Sequence, residues 1–474
     1  MAEYDVVVIG AGPVGENVAD YARQGGLSVA VVEAELVGGE CSYWACVPSK
    51  ALLRPVHALA AAVRVDGARQ AVTGAPDAGA ALARRDSFVH GYDDSGQVEW
   101  LHGAGVTLVR GTGRLTGVRQ VAVSTDDAEV QLSARHAVVL CTGSVAVVPP
   151  VPGLREAAPW TSREVTGMKD VPRRLAVVGG GVVACEMAAA VQGLGGTVTM
   201  LVRGDRLLER MEPFASDLVR DGLQASGVEI RFGAETARVE REGPDRPVRL
   251  HLADGAAVEA DEVLVAAGRR PRTADLGLET VGLDSGKPLT VDESLAVDGV
   301  DGGWLFAAGD VAGRVPLTHM GKYEARLLGA QLGARARGQA VDLSPWGRHA
   351  PTADDLAVPQ VVFTDPEVAA VGLTKAEADE RGLRTRQLTY PLGDVSGAGL
   401  HADDYAGLAA LLVDLDREVV VGATFVGPDV AELLHAATVA VVGEVPLDRL
   451  WHAVPAYPTM SEIWLRLLED WRRR

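Results

Sequence analysis

Cysteine is scarce in this sequence, with four residues among 474. So few cysteines exclude a disulfide-rich secreted scaffold and favour a cytoplasmic setting. The N-terminal residues lack the basic region of a secretion signal, and no apolar run approaches the roughly 18 residues that a membrane-spanning helix requires. We therefore expect a cytoplasmic protein without a membrane partner.

Net positive charge is also absent. The chain carries 45 Lys and Arg residues against 64 Asp and Glu residues, for a formal net charge of −19 at pH 7. Such a charge repels phosphate backbones and anionic lipids, which excludes nucleic acid and an anionic membrane surface as main partners. An apolar content of 47% is ordinary for a globular protein, and the length suggests about three domains.

Two of the four cysteines stand close together, in the stretch Gly-Gly-Glu-Cys-Ser-Tyr-Trp-Ala-Cys-Val-Pro-Ser-Lys at residues 38–50. Cys41 and Cys46 are five residues apart, and a regular helix places such positions on different faces. Bridging their sulfurs requires a distorted turn, which favours a strained, reducible disulfide over a structural one. Two buried thiols or two metal ligands are alternatives at this spacing. Two further nearby ligands are missing, so we predict no metal site.

A dinucleotide-binding pattern precedes the cysteines. A predicted strand over 4–9 leads into Gly10-Ala11-Gly12-Pro13-Val14-Gly15, a helix to about residue 24, and a second strand that is followed by Glu33. Gly10 and Gly12 permit a tight turn and a close backbone approach to a pyrophosphate. Gly15 permits close packing of helix and strand, and Glu33 is placed to bind a ribose.

A second pattern of the same kind begins near residue 175. It contains Gly179-Gly180-Gly181-Val182-Val183-Ala184, in which Gly179, Gly181 and Ala184 hold the G-x-G-x-x-A positions. Its second strand ends at Arg203, with Arg206 close by. An acid at this place would bind the ribose 2′-hydroxyl, whereas Arg203 would pair with a 2′-phosphate. We therefore predict NADPH as the second dinucleotide, with NADH as the alternative.

The order of these motifs resembles that of the class I pyridine nucleotide-disulfide oxidoreductases, which include dihydrolipoyl dehydrogenase, glutathione reductase and mercuric reductase. Later segments extend the resemblance over nearly the whole chain: Cys141-Thr142-Gly143, Gly309-Asp310, Phe363-Thr364-Asp365-Pro366-Glu367 and Tyr457-Pro458-Thr459-Met460-Ser461-Glu462. Their order along the chain is far more specific than any single motif.

The resemblance implies an α/β fold with two Rossmann-like dinucleotide-binding domains, one for FAD and one for NAD(P)H. It also implies a C-terminal α+β dimerisation domain and a homodimer. We predict the first part of the FAD domain at 1–155 and its second part at 276–344. The NAD(P)H domain is predicted at 156–275 and the dimerisation domain at 345–474.

The resemblance also assigns roles to residues. Cys46 is implied to be the thiol next to the flavin, and Cys41 the thiol that exchanges with substrate. Lys50 is implied to lie near the flavin N5 and to pair with Glu186, because a cation there stabilises both a thiolate and a reduced flavin. The further FAD contacts that it implies are Thr142, Gly143, Gly309 and Asp310.

Two segments depart from the family pattern. Ser42-Tyr43-Trp44-Ala45 replaces the common Leu-Asn-x-Gly, which predicts a bulkier and more aromatic site. At the C-terminus, which in the family completes the partner subunit's active site, Tyr457 holds the place of the histidine that acts as general base, and Glu462 is retained. A tyrosine that titrates near pH 10 is a poor base for thiol exchange.

We predict an FAD-dependent oxidoreductase that passes electrons from NADPH, or NADH, through FAD to the Cys41–Cys46 pair and on to a small acceptor. The acceptor is a disulfide, a quinone or a metal ion. The alternatives are a quinone reductase or transhydrogenase-like enzyme that does not need the cysteines, a dihydrolipoyl dehydrogenase, and a flavin-binding protein without turnover. His57, in the helical region before residue 105, is interpreted as a surface or packing residue.

Overall fold

A computed structural model describes residues 2–473. Buried β-branched runs and short alternating runs both form strands. In chain order these are β1 Ala2–Ile9, β2 Val29–Glu33, β3 Thr107–Arg110, β4 Thr112–Gly117, β5 Gln120–Ser124, β6 Glu129–Leu140, β7 Ser144–Ala146, β8 Arg174–Val178, β9 Thr197–Val202, β10 Glu229–Phe232, β11 Thr236–Arg241, β12 Val248–Leu252, β13 Ala257–Ala260, β14 Glu262–Val265, β15 Arg269–Pro271, β16 Leu305–Ala307, β17 Pro359–Val362, β18 Glu367–Gly372, β19 Thr385–Pro391, β20 Leu408–Asp414 and β21 Val419–Gly427.

The α-helices fall between these strands and after the last of them. They are α1 Pro13–Gln24, α2 Gly39–Tyr43, α3 Cys46–Val63, α4 Ala78–Phe88, α5 Ser95–Gly103, α6 Ser162–Thr166, α7 Val182–Gly193, α8 Pro213–Ala225, α9 Thr318–Ala336, α10 Ala353–Leu356, α11 Lys375–Glu380, α12 Ser396–His401, α13 Leu434–Val442, α14 Leu447–Leu450 and α15 Ile463–Arg472. Within residues 2–473, none of these helices combines the length and the apolar character needed to cross a bilayer.

One compact unit combines the chain up to Pro48 with Asp86–Ala146 and Arg269–Asp354. Its main sheet has the strand order β3-β2-β1-β6-β5-β4, and β16 also pairs with β6. Strands β2, β1, β6 and β16 run parallel, so their carboxyl ends lie at the same edge. Ligands bind at that edge in open α/β sheets, and the first glycine motif follows β1 there.

A second compact unit combines Ser49–Arg85, Val147–Gly268 and Asp355–Arg474. It contains a parallel sheet of order β10-β9-β8-β14, in which the second glycine motif follows β8. Beside it the chain forms an antiparallel sheet, β11-β12-β13, which the sequence interpretation did not predict. The C-terminal part forms an antiparallel sheet of order β17-β18-β21-β20-β19.

Helix α3 starts at the second cysteine of the close pair and continues through a proline. Pro55 has no backbone N–H, so the carbonyl of Ala51 one turn earlier lacks its helical donor. The guanidinium of Arg84 donates to that carbonyl, with Nη1 3.0 Å from the oxygen. This side-chain bond lets an 18-residue helix continue past the proline.

The predicted fold class is confirmed. Both strand–helix–strand patterns form as predicted, with helix α1 ending at Gln24 and strand β9 ending at Val202, next to Arg203. The C-terminal sheet and helices provide the expected α+β part. The domain boundaries at residues 155, 275 and 344 stay predictions.

Candidate active site

The first glycine motif forms an open cradle at the end of β1. A side chain at Gly10 would collide with the carbonyl of Cys141, and one at Gly15 with the carbonyl of Gly10. Gly12, by contrast, has no atom within 4 Å of the place a Cβ would take, and it caps helix α1 without a side-chain hydrogen bond. Space and unbonded N–H donors at a helix N-terminus are what a pyrophosphate requires.

Glu33 lies beside this cradle, as predicted for a ribose ligand. Its carboxylate accepts hydrogen bonds from the backbone N–H groups of Ala11, at 2.7 Å, and Glu35, at 2.8 Å. These bonds fix its orientation, and a carboxylate has about four acceptor sites in all. Lone pairs therefore remain for the hydroxyl groups of a ribose.

Asp310 follows β16 at the same sheet edge and is bonded to neighbouring polar groups. The hydroxyl of Ser144 donates to its carboxylate at 2.5 Å, and Arg269 Nε lies 2.8 Å from the Ser144 hydroxyl oxygen. The preceding Gly309 donates its N–H to the buried carboxylate of Glu324 at 2.6 Å. These contacts hold the Gly309–Asp310 turn in one conformation.

Thr142 and Gly143 continue strand β6 at this edge. The Thr142 hydroxyl donates to the carbonyl of Arg272 at 2.7 Å. Gly143 has a φ of 72° and open space around its Cα, so it can approach a bound cofactor closely. The predicted FAD contacts that follow β1, β2, β6 and β16 are thus brought to one edge of one sheet.

The second glycine motif repeats the geometry of the first. A side chain at Gly179 would collide with the carbonyl of Ala266, whereas the space at Gly181 is open. Gly181 caps helix α7 without a side-chain hydrogen bond, and Ala184 is fully buried against the core. This half of the molecule therefore offers a second place for the pyrophosphate of a dinucleotide.

Two arginines follow the second strand of this unit. Arg203 is exposed, and its guanidinium makes no hydrogen bond or ion pair with any residue from 2 to 473. Arg206 is half-buried and donates to the carbonyl of Glu209 at 2.6 Å. Arg203 is therefore the arginine with all its donors available to a phosphate.

The cysteine pair lies across a break between two helices, as its spacing predicted. Cys41 is on α2, Trp44 ends that helix with a φ of −135°, and Cys46 is the first residue of α3. The two sulfurs are present as separate thiols, with Cys41 half-buried and Cys46 exposed. Cys46 thus lies at the N-terminal end of helix α3, where the positive end of the helix dipole is located.

Thr318, the first residue of helix α9, contacts the cysteine pair. Its hydroxyl oxygen lies 3.5 Å from the sulfur of Cys46. The hydrogen bond from the Cys41 thiol to Cys46, and then burial, raise the pKa of Cys41 above its ordinary value. A proton on Cys41 shared with the sulfur of Cys46 is the arrangement of a reduced, reactive dithiol.

The residues between the cysteines form an aromatic cluster with Tyr92. Trp44 and Tyr92 stack with ring centroids 6.3 Å apart and an interplanar angle of 28°, and Tyr43 is buried beside them. Tyr92 has a left-handed backbone, with φ of 65°. Asp94 fixes this turn, because its carboxylate accepts from the N–H of Val37 at 2.7 Å and from Arg110. This cluster agrees with the expectation of a more aromatic site.

The structure brings Lys50 and Glu186 together, as predicted. Lys50 Nζ lies 2.6 Å from a carboxylate oxygen of Glu186, which is 3% exposed, and we call these residues the active-site ion pair. The other oxygen accepts the backbone N–H of Phe363 at 3.0 Å, and Lys50 Nζ lies 4.8 Å above the Phe363 ring. Gly193 lets helix α7 approach α3 at Val56, which places the two side chains within reach.

The C-terminal segment places the two remaining predicted residues in different environments. Tyr457 is 75% exposed on this chain, and His452 is exposed five residues before it. Glu462 is buried and pairs with Arg466 at 2.5 Å. An exposed Tyr457 beside an anchored Glu462 is available to another subunit.

Several residues of this site were missed by sequence reasoning. Phe363 begins a segment that was recognised and Thr318 follows another, but no spacing rule connects Thr318 to Cys46 or Phe363 to Lys50. Arg269 and Glu324 reach the Asp310 turn through hydrogen bonds that depend on the tertiary fold. No group of three or more acidic, histidine or cysteine residues in the described part of the chain is arranged to hold a metal ion.

Comparison with known proteins gives a consistent result. Residues 4–325 match the model of the family described as pyridine nucleotide-disulphide oxidoreductase, and residues 358–467 match the dimerisation domain of that family. The second match supports a homodimer.

Related sequences and structures cover nearly the whole chain. A mercuric reductase from Staphylococcus aureus is 30% identical over 97% of this chain and 81% of its own length. A dihydrolipoyl dehydrogenase from Chlamydia pneumoniae is 30% identical over 98% of this chain and 95% of its own. The flavoprotein disulfide reductase RclA from Escherichia coli has the same fold, with a TM-score of 0.84 at 23% identity over 99% of this chain and 100% of its own.

These matches agree with the two nucleotide cradles and the dithiol between helices α2 and α3. The chain therefore belongs to the pyridine nucleotide-disulphide oxidoreductases, which are FAD-dependent enzymes of the disulfide reductase type with NAD(P)H as electron donor.

Proposed function

We propose that this enzyme oxidises NADPH in preference to NADH and passes the electrons through FAD and the Cys41–Cys46 dithiol to a small disulfide or quinone. The observation that carries this proposal is the position of the dithiol. The two cysteines flank a helix break, and Lys50 follows one turn after Cys46 on helix α3.

The residues present fit FAD. The pyrophosphate of FAD would lie in the open cradle at Gly12, and its ribose would bind the oriented carboxylate of Glu33. The ribityl group would bind at the fixed Gly309–Asp310 turn. When bound, FAD accepts a hydride from NAD(P)H and passes two electrons to a disulfide. The protein supplies the orientation and the charges around that chemistry.

Each residue of the site has a role in this proposal. The active-site ion pair holds a positive charge where negative charge accumulates on reduction. Cys46 takes up the electrons as the Cys41–Cys46 bond breaks. Two protons complete the dithiol, one derived from the hydride that NADPH donates and one from solvent. With a disulfide acceptor, the Cys41 sulfur attacks one acceptor sulfur, which forms a mixed disulfide and releases the first acceptor thiol. Cys46 then attacks Cys41, so that the Cys41–Cys46 bond forms again and the second acceptor thiol leaves. A quinone instead takes two electrons and two protons from the dithiol and leaves as one hydroquinone.

In this proposal Tyr457 occupies the position of the family's general base but has a different role. We place Tyr457 and Glu462 at the partner subunit's dithiol, where the tyrosine hydroxyl donates a hydrogen bond to the acceptor. A phenol hydroxyl orients an oxygen or sulfur acceptor by donating a hydrogen bond, but it is a poor base for removing a proton from Cys41. This favours acceptors that need little help from a base.

Electron counting tests the proposal. Anaerobic titration of the purified holoenzyme with dithionite is expected to consume four electrons per subunit, two for FAD and two for the cysteine pair. The Cys41→Ser variant is expected to consume two, and a Cys141→Ala control, which alters a buried thiol, four. Uptake of only two electrons by the wild type would exclude the dithiol as an electron carrier.

Arg203 provides the test of nucleotide preference. A charge-assisted hydrogen bond to a 2′-phosphate contributes about 1.5–3 kcal/mol, so Arg203→Ala should raise the KM for NADPH by about 10- to 100-fold. The KM for NADH should stay within about twofold, since NADH lacks that phosphate. Arg210→Ala, which alters an exposed arginine of the same loop, is the control. Equal effects of Arg203→Ala on both nucleotides would contradict the preference.

A further inference from the structure

The second dinucleotide-binding unit lacks an acid at the position where the first unit has Glu33. An acid at the end of the second strand of such a unit binds the adenosine ribose, and Glu33 is the last residue of β2. Strand β9 ends at Val202 and is followed by Arg203 and Gly204. The ribose hydroxyl groups of the second dinucleotide therefore have no acceptor at the usual place in the sequence.

A carboxylate from later in the same loop lies at this place. A side chain at Gly204 would collide with Oε1 of Glu209, so the Glu209 carboxylate occupies the space beside Gly204. Consecutive Cα atoms are about 3.8 Å apart, so this carboxylate is also close to the backbone of Arg203. The fold thus brings an acid to the end of β9 that is six residues away from Arg203 in the sequence.

The loop that carries Glu209 is attached to the second glycine motif. The N–H of Leu208 donates to the carbonyl of Gly180, the middle glycine of that motif, at 2.8 Å. Gly180 also lies close to the end of β9, because a side chain there would come within 2.9 Å of Cγ1 of Val202. Glu209 directly follows the anchored Leu208, so it lies at the edge of the sheet where the dinucleotide would bind.

The backbone on either side of Glu209 is held by further contacts. Leu207 is fully buried, and its carbonyl accepts a hydrogen bond from the hydroxyl of Ser216 at 2.6 Å. The guanidinium of Arg206 donates to the carbonyl of Glu209 itself at 2.6 Å. Because the backbone is fixed, the Glu209 side chain can reach only a small region around Gly204.

The acceptor sites of this carboxylate are available to a ligand. The Glu209 side chain is exposed, and within the described chain its oxygens accept no hydrogen bond and form no ion pair. An ionised carboxylate has about four acceptor sites and no donor, so it binds a hydroxyl group but repels a phosphate. Arg203 has the opposite preference. Two side chains that favour different nucleotides therefore lie at the end of β9.

We propose that Glu209 is a specificity-determining residue, whose carboxylate accepts a hydrogen bond from the 2′-hydroxyl of NADH and repels the 2′-phosphate of NADPH. This inference rests on the proposed function, in which Arg203 binds that phosphate. Because the two residues act in opposite directions, the preference for NADPH is smaller than Arg203 alone would produce. The same site therefore retains NADH as a second electron donor.

Competitive inhibition by two adenosine fragments tests the inference. Adenosine 2′,5′-bisphosphate carries the 2′-phosphate and 5′-AMP carries the 2′-hydroxyl, and neither contains nicotinamide. Their inhibition constants are measured on the holoenzyme from the rate of flavin reduction by NADPH. Glu209→Gln keeps the shape of the side chain but removes the charge, so the constant for the bisphosphate should fall on the order of fivefold. The constant for 5′-AMP should stay within about threefold, since the amide oxygen still accepts a hydrogen bond.

A second variant removes the acceptor as well as the charge. Glu209→Ala should bind the bisphosphate as tightly as Glu209→Gln does, because both lack the repelling charge. Its inhibition constant for 5′-AMP should rise about 3- to 10-fold, because a hydrogen bond to the ribose is lost. Glu242→Gln is the control, since Glu242 is an exposed carboxylate elsewhere in the same compact unit, and both of its constants should equal those of the wild type.

Ionic strength provides a readout that a purely structural role of Glu209 would not change. The Debye length falls from about 30 Å at 0.01 M salt to about 3 Å at 1 M, so added salt screens the repulsion between Glu209 and the 2′-phosphate. The ratio of the bisphosphate constants of wild type and Glu209→Gln should therefore approach one at high salt. Taking this ratio cancels the effect of salt on Arg203, which is present in both proteins.

Two results would overturn the inference. One is a bisphosphate constant in Glu209→Gln equal to that of the wild type; the other is an unchanged 5′-AMP constant in Glu209→Ala. A failure of the proposed preference for NADPH is a different result, namely equal effects of Arg203→Ala on both nucleotides. The effect of Glu209→Ala on 5′-AMP does not depend on Arg203, so the two failures are distinguishable.

Discussion

Glu186→Ala is expected to destabilise the protein by about 2–3 kcal/mol and to slow reduction of the flavin by about 100-fold. Removing one member of a buried ion pair typically costs about 3–5 kcal/mol, because the other charge is left without its partner. The Lys50 side chain is 33% exposed, so solvent screening reduces this to the lower figure. The N–H of Phe363 also loses its acceptor.

The loss of rate has a separate cause. A preorganised charge next to developing negative charge contributes about 100- to 1,000-fold in rate when it is fixed in place. Without Glu186, the flexible Lys50 side chain is no longer held at one position. Chemical denaturation and stopped-flow reduction by NADPH measure the two effects independently.

Two further variants distinguish the effect of the Glu186 charge from that of its hydrogen bond to Phe363. Glu186→Gln retains an oxygen for the Phe363 N–H but removes the charge, so it should keep most of the stability and lose most of the rate. Glu212→Ala removes a buried carboxylate that accepts the N–H of Lys375 and has no cationic partner among residues 2–473. A rate in Glu186→Gln equal to that of the wild type would show that the charge of Glu186 does not position Lys50.

Local sequence patterns predicted the parts of the site that are encoded within a few residues. The two glycine motifs, the acid at Glu33 and the helix break between Cys41 and Cys46 each follow from spacing and backbone sterics alone. Lys50 and Glu186 are 136 residues apart, and their pairing was predicted only from the resemblance to a family. Spacing carries no information about such a contact.

The parts that were not predicted depend on tertiary packing. His57 was interpreted as a surface or packing residue, and it lines a small cavity with Asp365 and Glu367. These two residues lie in the loop before β18 and at its start, more than 300 residues later in the chain, so no local pattern connects them to His57. The β11-β12-β13 sheet was missed because its strands are short and carry many charged residues. Tyr92 was not predicted because no local sequence pattern indicates that its ring stacks on Trp44.

The replacement of Cys46 is the most direct test of the route through the dithiol. With a disulfide acceptor and NADPH, Cys46→Ser is expected to lose turnover by at least about 1,000-fold, because loss of a covalent participant cannot be compensated by its neighbours. Reduction of FAD by NADPH should remain within about fivefold of the wild-type rate, and Cys141→Ala should behave as wild type. The same loss is expected with a quinone acceptor. Unchanged quinone turnover in Cys46→Ser would contradict the dithiol route and leave direct transfer from the flavin.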